Sequence, residues 1–130
     1  MPGGGLARRK HGMSSLPKRV QEHLKELARR RETITYRDLA KELEVQPPNT
    51  IHQVADALEV LMQEDQATGA PFLAALVVSK TRNGLPAPVF FYVARMLGRF
   101  RGSDTGPDTP AYHARELESA WDYWGSLHNR

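Results

Sequence analysis

The sequence predicts a single, mainly α-helical domain with a small β element (α+β), organised around a helix-turn-helix. Residues 33–65 contain two amphipathic segments separated by a proline pair, and helical periodicity continues on both sides of them. A short apolar run at 72–79 is the best candidate for a strand. A chain of 130 residues, 40% of them apolar, can form one compact core but is too short for two ordinary domains.

The first predicted helix follows a basic N-terminal segment. Residues 1–14 contain a glycine run and a basic run, and we expect a flexible basic arm ahead of a domain at 15–130. Ser15 is a typical helix N-cap, and Pro17 suits the first turn. The apolar stripe that this helix should bury comprises Val20, Leu24, Leu27 and Ala28.

Two helices and a turn make up the central motif. Thr35 can cap a short helix that begins at Tyr36, and Pro47-Pro48 prevents its continuation, because proline restricts the preceding residue and lacks a backbone donor. Asn49 or Thr50 then caps a longer helix. Its expected buried positions are Ile51, Val54, Ala55, Leu58, Leu61 and Met62. Its expected exposed positions are His52, Gln53, Asp56, Glu59 and Gln63.

A small β wing is predicted after the long helix. The run at 72–79 is apolar and rich in β-branched residues, which favours a buried strand. Asn83-Gly84 is typical of a tight turn, and the prolines in 85–88 favour an extended segment that is unsuited to a central strand. These residues give a minimal wing.

Two more helices complete the predicted domain. Pro88 can begin the first of them, and Gly98 is a natural stop. Asp108 or Thr109 begins the last helix. One face of that helix has Ala114, Leu117, Trp121 and Trp124. At this spacing the tryptophans are expected to pack in the core, with a ligand cage or a partner surface as the alternative.

The residue types exclude several kinds of chemistry. The chain has no cysteine, so it has no disulfide, no thiolate metal site and no cysteine nucleophile. Its five histidines are far apart in sequence, and no glycine-rich loop follows a strand. We therefore expect a binding protein and not an enzyme, with no metal and no cofactor. No apolar run approaches the roughly 20 residues that span a bilayer, and no secretory signal is evident, so we expect a cytoplasmic protein without membrane contact.

Charge is distributed unevenly along the chain. Residues 1–31 have nine Lys or Arg against two acids and 80–101 have five against none, whereas 32–79 have two against eight. Two basic segments brought to one face would attract a phosphate backbone through counterion release, so we expect double-stranded DNA as the partner. The residues predicted to contact DNA are Asn49, Thr50, His52 and Gln53 in the long helix and Lys80, Arg82 and Asn83 in the turn.

The order of these elements resembles a winged helix-turn-helix with an additional C-terminal helix. More loosely, it resembles the DNA-binding half of the alkylguanine alkyltransferase and alkyltransferase-like proteins. The resemblance covers about half of the chain and depends on Thr35-Tyr36-Arg37-Asp38-Leu39-Ala40, Val54-Ala55-Asp56-Ala57-Leu58 and the Gly84-Leu85 turn.

The alkyltransferase resemblance implies a role for one tyrosine, but the absence of cysteine excludes the family's alkyl-transfer reaction. In that family a tyrosine at the start of the first motif helix helps to rotate a nucleotide out of the duplex, which implies DNA contact by Tyr36. The alternative is that Tyr36 anchors its helix on the core. That family has a finger arginine near the start of its recognition helix, and this position falls near His52 here. The family's active-site Pro-Cys-His-Arg stretch falls on residues 74–78, which are apolar in this chain. Because the chain has no cysteine, alkyl transfer to a thiol is excluded.

These features predict a non-enzymatic DNA-binding protein with a regulatory or repair-associated role. The alternative is a protein-protein interaction module on the same scaffold, because winged helices serve both uses. Such a module would use either the acidic face of the long helix or a homodimer surface that comprises Phe90, Phe91, Trp121 and Trp124.

Overall fold

The computed structural model describes residues 15–128, which form five α-helices, a 3₁₀ turn and a two-stranded parallel sheet. The helices are α1 (Leu16–Arg29), α2 (Tyr36–Glu42), α3 (Thr50–Thr68), α4 (Pro88–Met96) and α5 (Thr109–His128). The strands are β1 (Ile34–Thr35) and β2 (Val77–Val78), and the 3₁₀ turn is Leu73–Leu76. The mainly α-helical class with a small β element is confirmed. The predicted basic arm at 1–14 lies outside the described residues.

The first helix begins and packs as the sequence predicts. The Ser15 hydroxyl accepts a hydrogen bond from the Lys18 backbone N–H at 3.2 Å, and the predicted apolar stripe of α1 is buried. This face packs against α3 and α5. α5 approaches α1 so closely at Gly125 that a Cβ there would lie 2.9 Å from the Ala28 carbonyl oxygen. A glycine is therefore required at this helix crossing.

α2 and α3 pack against each other across a short turn. The Thr35 hydroxyl accepts from the Asp38 backbone N–H at 3.0 Å, which confirms the predicted cap of α2. Asn49 is the N-cap of α3 in a left-handed conformation, with φ 60°, and its side chain makes no capping bond. The predicted burial of Ile51 is wrong: its side chain is 45% exposed, because the buried face of α3 begins only at Val54 and the first turn extends beyond it.

The apolar run at 72–79 is almost entirely buried, but most of it is not a strand. Leu73–Leu76 form the 3₁₀ turn, and only Val77 and Val78 pair, in parallel, with Ile34 and Thr35. The turn is enclosed by α1, α3 and α5. Helices on these sides leave no room for a neighbouring strand, so the first half of the run forms local hydrogen bonds instead.

The loop after β2 has the predicted turn but does not return as a second strand. Asn83 and Gly84 have φ of 54° and 82°, the left-handed conformation that an Asn-Gly turn requires. The Ser79 N–H donates to the Leu85 carbonyl oxygen at 2.7 Å and closes the loop. Residues 85–87 belong to neither a helix nor a strand. In the described chain the small sheet is thus the parallel pair of β1 and β2, not an antiparallel wing.

The last two helices begin where the sequence predicts, but the buried face of α5 differs. Ala114 is exposed and its neighbour His113 is buried, because His113 Nε2 lies 2.9 Å from the Ala75 carbonyl oxygen and can donate to it. Burial lowers the pKa of His113. Trp124 is buried as predicted, and its indole N–H donates to the Pro71 carbonyl oxygen at 2.9 Å.

Two carboxylates from different helices cap the start of the 3₁₀ turn. Glu116 Oε2 accepts from the Phe72 N–H at 2.7 Å, and Asp65 Oδ2 accepts from the Leu73 N–H at 3.0 Å. Arg99 joins the two helices by donating to Glu116 and to the backbone carbonyl of Asp65, each at 3.3 Å. Burial raises the pKa of Asp65 to about 7, against the opposing effects of the Leu73 hydrogen bond and of Arg99.

The stability of the fold should depend on the protonation of Asp65. Its folded pKa of about 7 lies above the ordinary value of 3.8, so the folded protein binds this proton more tightly than the unfolded chain does. The resulting stabilisation is complete below the unfolded pKa and is lost as pH rises through the folded pKa. Relative to Asp65→Asn, which keeps an oxygen for the Leu73 N–H, the wild-type melting temperature should fall by on the order of a few degrees between pH of about 5 and about 8.

Thermal unfolding followed by circular dichroism, with both proteins at each pH, measures this difference. The comparison cancels the opposite contribution of His113, which is present in both proteins. If the difference in melting temperature between the wild type and Asp65→Asn did not change with pH, the raised pKa of Asp65 would be contradicted.

Candidate nucleic-acid interface

The turn between α2 and α3 is held by a side chain from the start of α3. The amide nitrogen of Gln53 donates to the carbonyl oxygens of Gln46 and Pro48, at 2.8 and 2.9 Å. An amide nitrogen has two hydrogens, so both are used within the turn. Gln53 therefore positions α3, and its amide has no hydrogen left to donate to DNA, although the sequence places it among the predicted DNA contacts.

The first turn of α3 lies at the surface. Asn49 and His52 are exposed, and Thr50 is half-buried. This turn contains no acid, so the positive end of the helix dipole is not neutralised there. His52 Nε2 lies 3.5 Å from Asp56 Oδ2, one turn further along. Three of the four predicted DNA-contacting residues of α3 are therefore near this helix end with side chains at least partly accessible.

The three predicted DNA-contacting residues of the loop after β2 differ in their surroundings. Arg82 Nη1 donates to the Pro86 carbonyl oxygen at 2.9 Å, which braces the loop. Lys80 and Asn83 are exposed. Lys80 has no ion pair with any residue in the described part of the chain. Neither loop cation has an acidic partner among the described residues, and Lys80 is the more exposed of the two.

Tyr36 is buried at the junction of α2 with this loop. Its side chain is 7% exposed, and its hydroxyl oxygen accepts a hydrogen bond from the Ala87 N–H at 3.0 Å. Burial raises the pKa of Tyr36 to about 12, while the Ala87 hydrogen bond and the Arg82 charge act in the opposite direction. Tyr36 thus occupies the position of an aromatic anchor and fixes the end of the loop beside the start of α2.

A narrow groove opens above Tyr36, between α3 and α4. It encloses about 280 Å³, part of which is open to solvent, and its interior holds at most about one water molecule. Its lining residues are Tyr36, Ala55, Leu58, Glu59, Met62, Ala74, Val89, Phe90 and Val93. In this conformation the groove is too narrow for a nucleobase.

Two cations on α2 were missed by the sequence analysis. Arg37 and Lys41 are exposed, and neither forms an ion pair with a described residue. Because they are four residues apart, they lie on one side of α2. Asp38 and Glu42 lie on another side, lining a cleft with α1. The helical spacing of Arg37 and Lys41 could have identified this pair, since both precede the turn into α3.

The bases of α1 are less available than those of α2. Arg19 donates to the Leu43 carbonyl oxygen and so joins α1 to the end of α2. Four other bases of α1 pair with acids of the same helix or its end: Lys18 and Lys25 with Glu22, and Arg29 and Arg30 with Glu26. Each of these four cations has an acidic partner, but the two glutamates are shared, so the four pairs leave a net charge of +2. The basic count of α1 therefore overstates how many of its cations are unpaired.

The aromatic residues considered for a homodimer surface belong mostly to the core. Phe90, Phe91 and Trp124 are buried. Trp121 is half-buried, and its indole N–H donates to the Glu32 carbonyl oxygen at 3.1 Å. These side chains are engaged within one chain, so they do not form an exposed aromatic surface.

Within residues 15–128, no group of three or more His, Asp or Glu side chains is arranged to hold a metal ion. None of the helices in this part of the chain has both the length and the apolar character needed to cross a membrane. Comparison with protein-family models, with curated proteins and with solved structures finds no significant match.

Replacing Tyr36 with phenylalanine should test its role as the link between α2 and the loop. The substitution keeps the ring but leaves the part-buried Ala87 N–H without its acceptor, so it should lower the free energy of unfolding by roughly 1–2 kcal/mol. Urea unfolding measures the loss. Tyr92→Phe is the matched control, because the Tyr92 side chain is exposed. Equal stabilities of the two variants would exclude a linking role for the Tyr36 hydroxyl.

Proposed function

We propose that this protein is a non-enzymatic DNA-binding protein that contacts the duplex backbone through α2, the first turn of α3 and the loop at 79–87. The observation that supports this most is that three of the five exposed cations without an ion pair to any described residue lie on α2 and on this loop: Arg37, Lys41 and Lys80. The other two are Arg101 and Arg115. A cation paired within the protein must give up that pair to bind phosphate. An unpaired one gains from counterion release without this loss.

Two sets of hydrogen bonds connect the elements that contain these cations with the start of α3. The Tyr36–Ala87 hydrogen bond ties the loop that contains Lys80 to the start of α2, where Arg37 follows directly. Gln53 ties the start of α3 to the turn that leaves α2. In this proposal the loop at 79–87 takes the place of the wing in a winged helix-turn-helix.

The acids of α3 restrict how this helix can approach DNA. Asp56 and Glu59 are exposed on the second and third turns, and α3 contains no Lys or Arg. A helix lying lengthwise in a groove would bring both carboxylates close to phosphates, which is unfavourable. We therefore place only the first turn of α3 against the duplex, with Asn49, Thr50 and His52 as its contacts.

Contacts of this kind give modest, mainly sequence-independent affinity. The likeness to alkyltransferase-like proteins is the support for a regulatory or repair-associated role, in which the chain would recognise DNA without transferring an alkyl group. The groove above Tyr36 would have to widen to accept an extruded base.

DNA binding should be salt-dependent in proportion to the cations that contact phosphate. Fluorescence anisotropy of a labelled duplex should give a micromolar dissociation constant at low salt, with a slope of log affinity against log salt of roughly −3 for three phosphate contacts. Replacing Arg37 and Lys80 together with glutamine should weaken binding and reduce the magnitude of the slope by about two.

The matched control replaces Arg29 and Arg115 with glutamine, which removes the same charge from α1 and α5. Its slope should equal that of the wild type. No binding at low salt, or an equal loss in both double variants, would contradict the proposed surface.

A further inference from the structure

The short helix α4 has an exposed apolar side that the DNA-binding proposal does not use. Phe90, Phe91 and Ala94 face the core. On the other side, Val89, Tyr92 and Met96 are 42%, 46% and 67% exposed. Their spacing of three and four residues puts them in one stripe along α4. Isolated exposed apolar residues are common on proteins, but a contiguous stripe marks an interaction surface.

The stripe adjoins the groove between α3 and α4. Val89 belongs to both, and the groove continues across Val93 to Ala55 and Met62 of α3. Apart from Glu59 and the Tyr36 hydroxyl, the side chains lining the groove are apolar. Stripe and groove together therefore form a continuous apolar surface, which we call the α3–α4 surface.

The α3 side of the α3–α4 surface is negatively charged. Glu59 lines the groove and forms no ion pair with a described residue. Asp56 lies one turn before it, near His52. On the α4 side, the Arg95 guanidinium lies over the Tyr92 ring, 5.5 Å from its centroid, and pairs with Asp104, which balances its charge. A ligand with positive charge beside an apolar face would complement this arrangement.

We propose that the α3–α4 surface is a docking site for a basic amphipathic helix of another protein. Apolar side chains of that helix would cover Val89, Tyr92 and Met96, and a Lys or Arg beside them would pair with Glu59. The α4 stripe spans roughly two helical turns, which matches the i, i+3, i+7 spacing by which a helix binds in a groove.

Neither a second copy of this chain nor nucleic acid fits the α3–α4 surface equally well. The described helix richest in basic residues, α1, has its apolar stripe in the core. α2 has cations on its exposed side but also the acids Asp38 and Glu42, and its apolar residues are buried or half-buried. Nucleic acid would place phosphates near Glu59 and Asp56. A basic amphipathic helix of another protein can present an accessible apolar face, and its positive charge would not be repelled by these carboxylates.

The test uses a synthetic peptide with leucines at helical spacing on one face and lysines on the other. Titration into the ¹⁵N-labelled protein should shift the backbone amides of α4 and of residues 55–62. Calorimetry should give an affinity at least about tenfold weaker for Glu59→Lys and for Tyr92→Ser. Two matched controls, Glu64→Lys on the same helix and Tyr123→Ser on α5, should bind like the wild type; all four positions are exposed, and circular dichroism verifies folding.

Three outcomes would overturn the proposal. A peptide with glutamate in place of lysine could bind as tightly as the lysine peptide. The amide shifts could occur outside α4 and residues 55–62, or the control variants could lose as much affinity as Glu59→Lys and Tyr92→Ser. Self-association in sedimentation that Tyr92→Ser abolishes would instead assign the surface to a second copy. DNA affinity that falls in Tyr92→Ser would assign it to nucleic acid. The Arg37 and Lys80 variant should bind the peptide normally, so failures of the two proposals are distinguishable.

Discussion

Residues 72–78 cross the interior of the domain without forming an α-helix, and the other elements are arranged to satisfy their backbone. Buried amides and carbonyls without partners would cost free energy, so each needs a hydrogen bond. α5 contributes Glu116 to the Phe72 N–H and His113 to the Ala75 carbonyl, while α3 contributes Asp65 to the Leu73 N–H. β1 pairs with the last two residues. The positions of α3, α5 and β1, and hence of α2 directly after β1, follow from this segment.

The helices and their caps could be predicted because the information is local. Ser15, Thr35, Pro88 and Gly98 act within one turn of the chain, and each has the predicted role. The 3₁₀ turn and the parallel sheet could not be predicted in this way, because an apolar run of eight residues has no period that distinguishes a strand from a buried turn. The burial of His113 and Asp65 likewise depends on acceptors and donors 38 and eight residues away.

The candidate interface was predictable in position but less so in detail. The start of α3 and the loop after β2 are exposed, as the charge and turn patterns indicated. Tertiary contacts decide which of these side chains remain available to bind DNA. Gln53 and Arg82 donate to backbone carbonyls, and Tyr36 is buried. Arg37 and Lys41, in contrast, form no ion pair with a described residue. The acids of α3 then separate two surfaces. Unpaired cations lie on α2 and on the loop after β2, and carboxylates of α3 lie beside the apolar side of α4, so phosphate and a basic peptide would be expected at different places.

We propose that duplex DNA contacts α2, the first turn of α3 and the loop at 79–87. This can be tested by titrating an unlabelled short duplex into the ¹⁵N-labelled protein at low salt and following the amide chemical shifts. The largest shifts should occur at Arg37, at residues 49–52 and at Lys80, and they should diminish as salt is added. Shifts confined to α4 and α5, or no shifts at low salt, would contradict it.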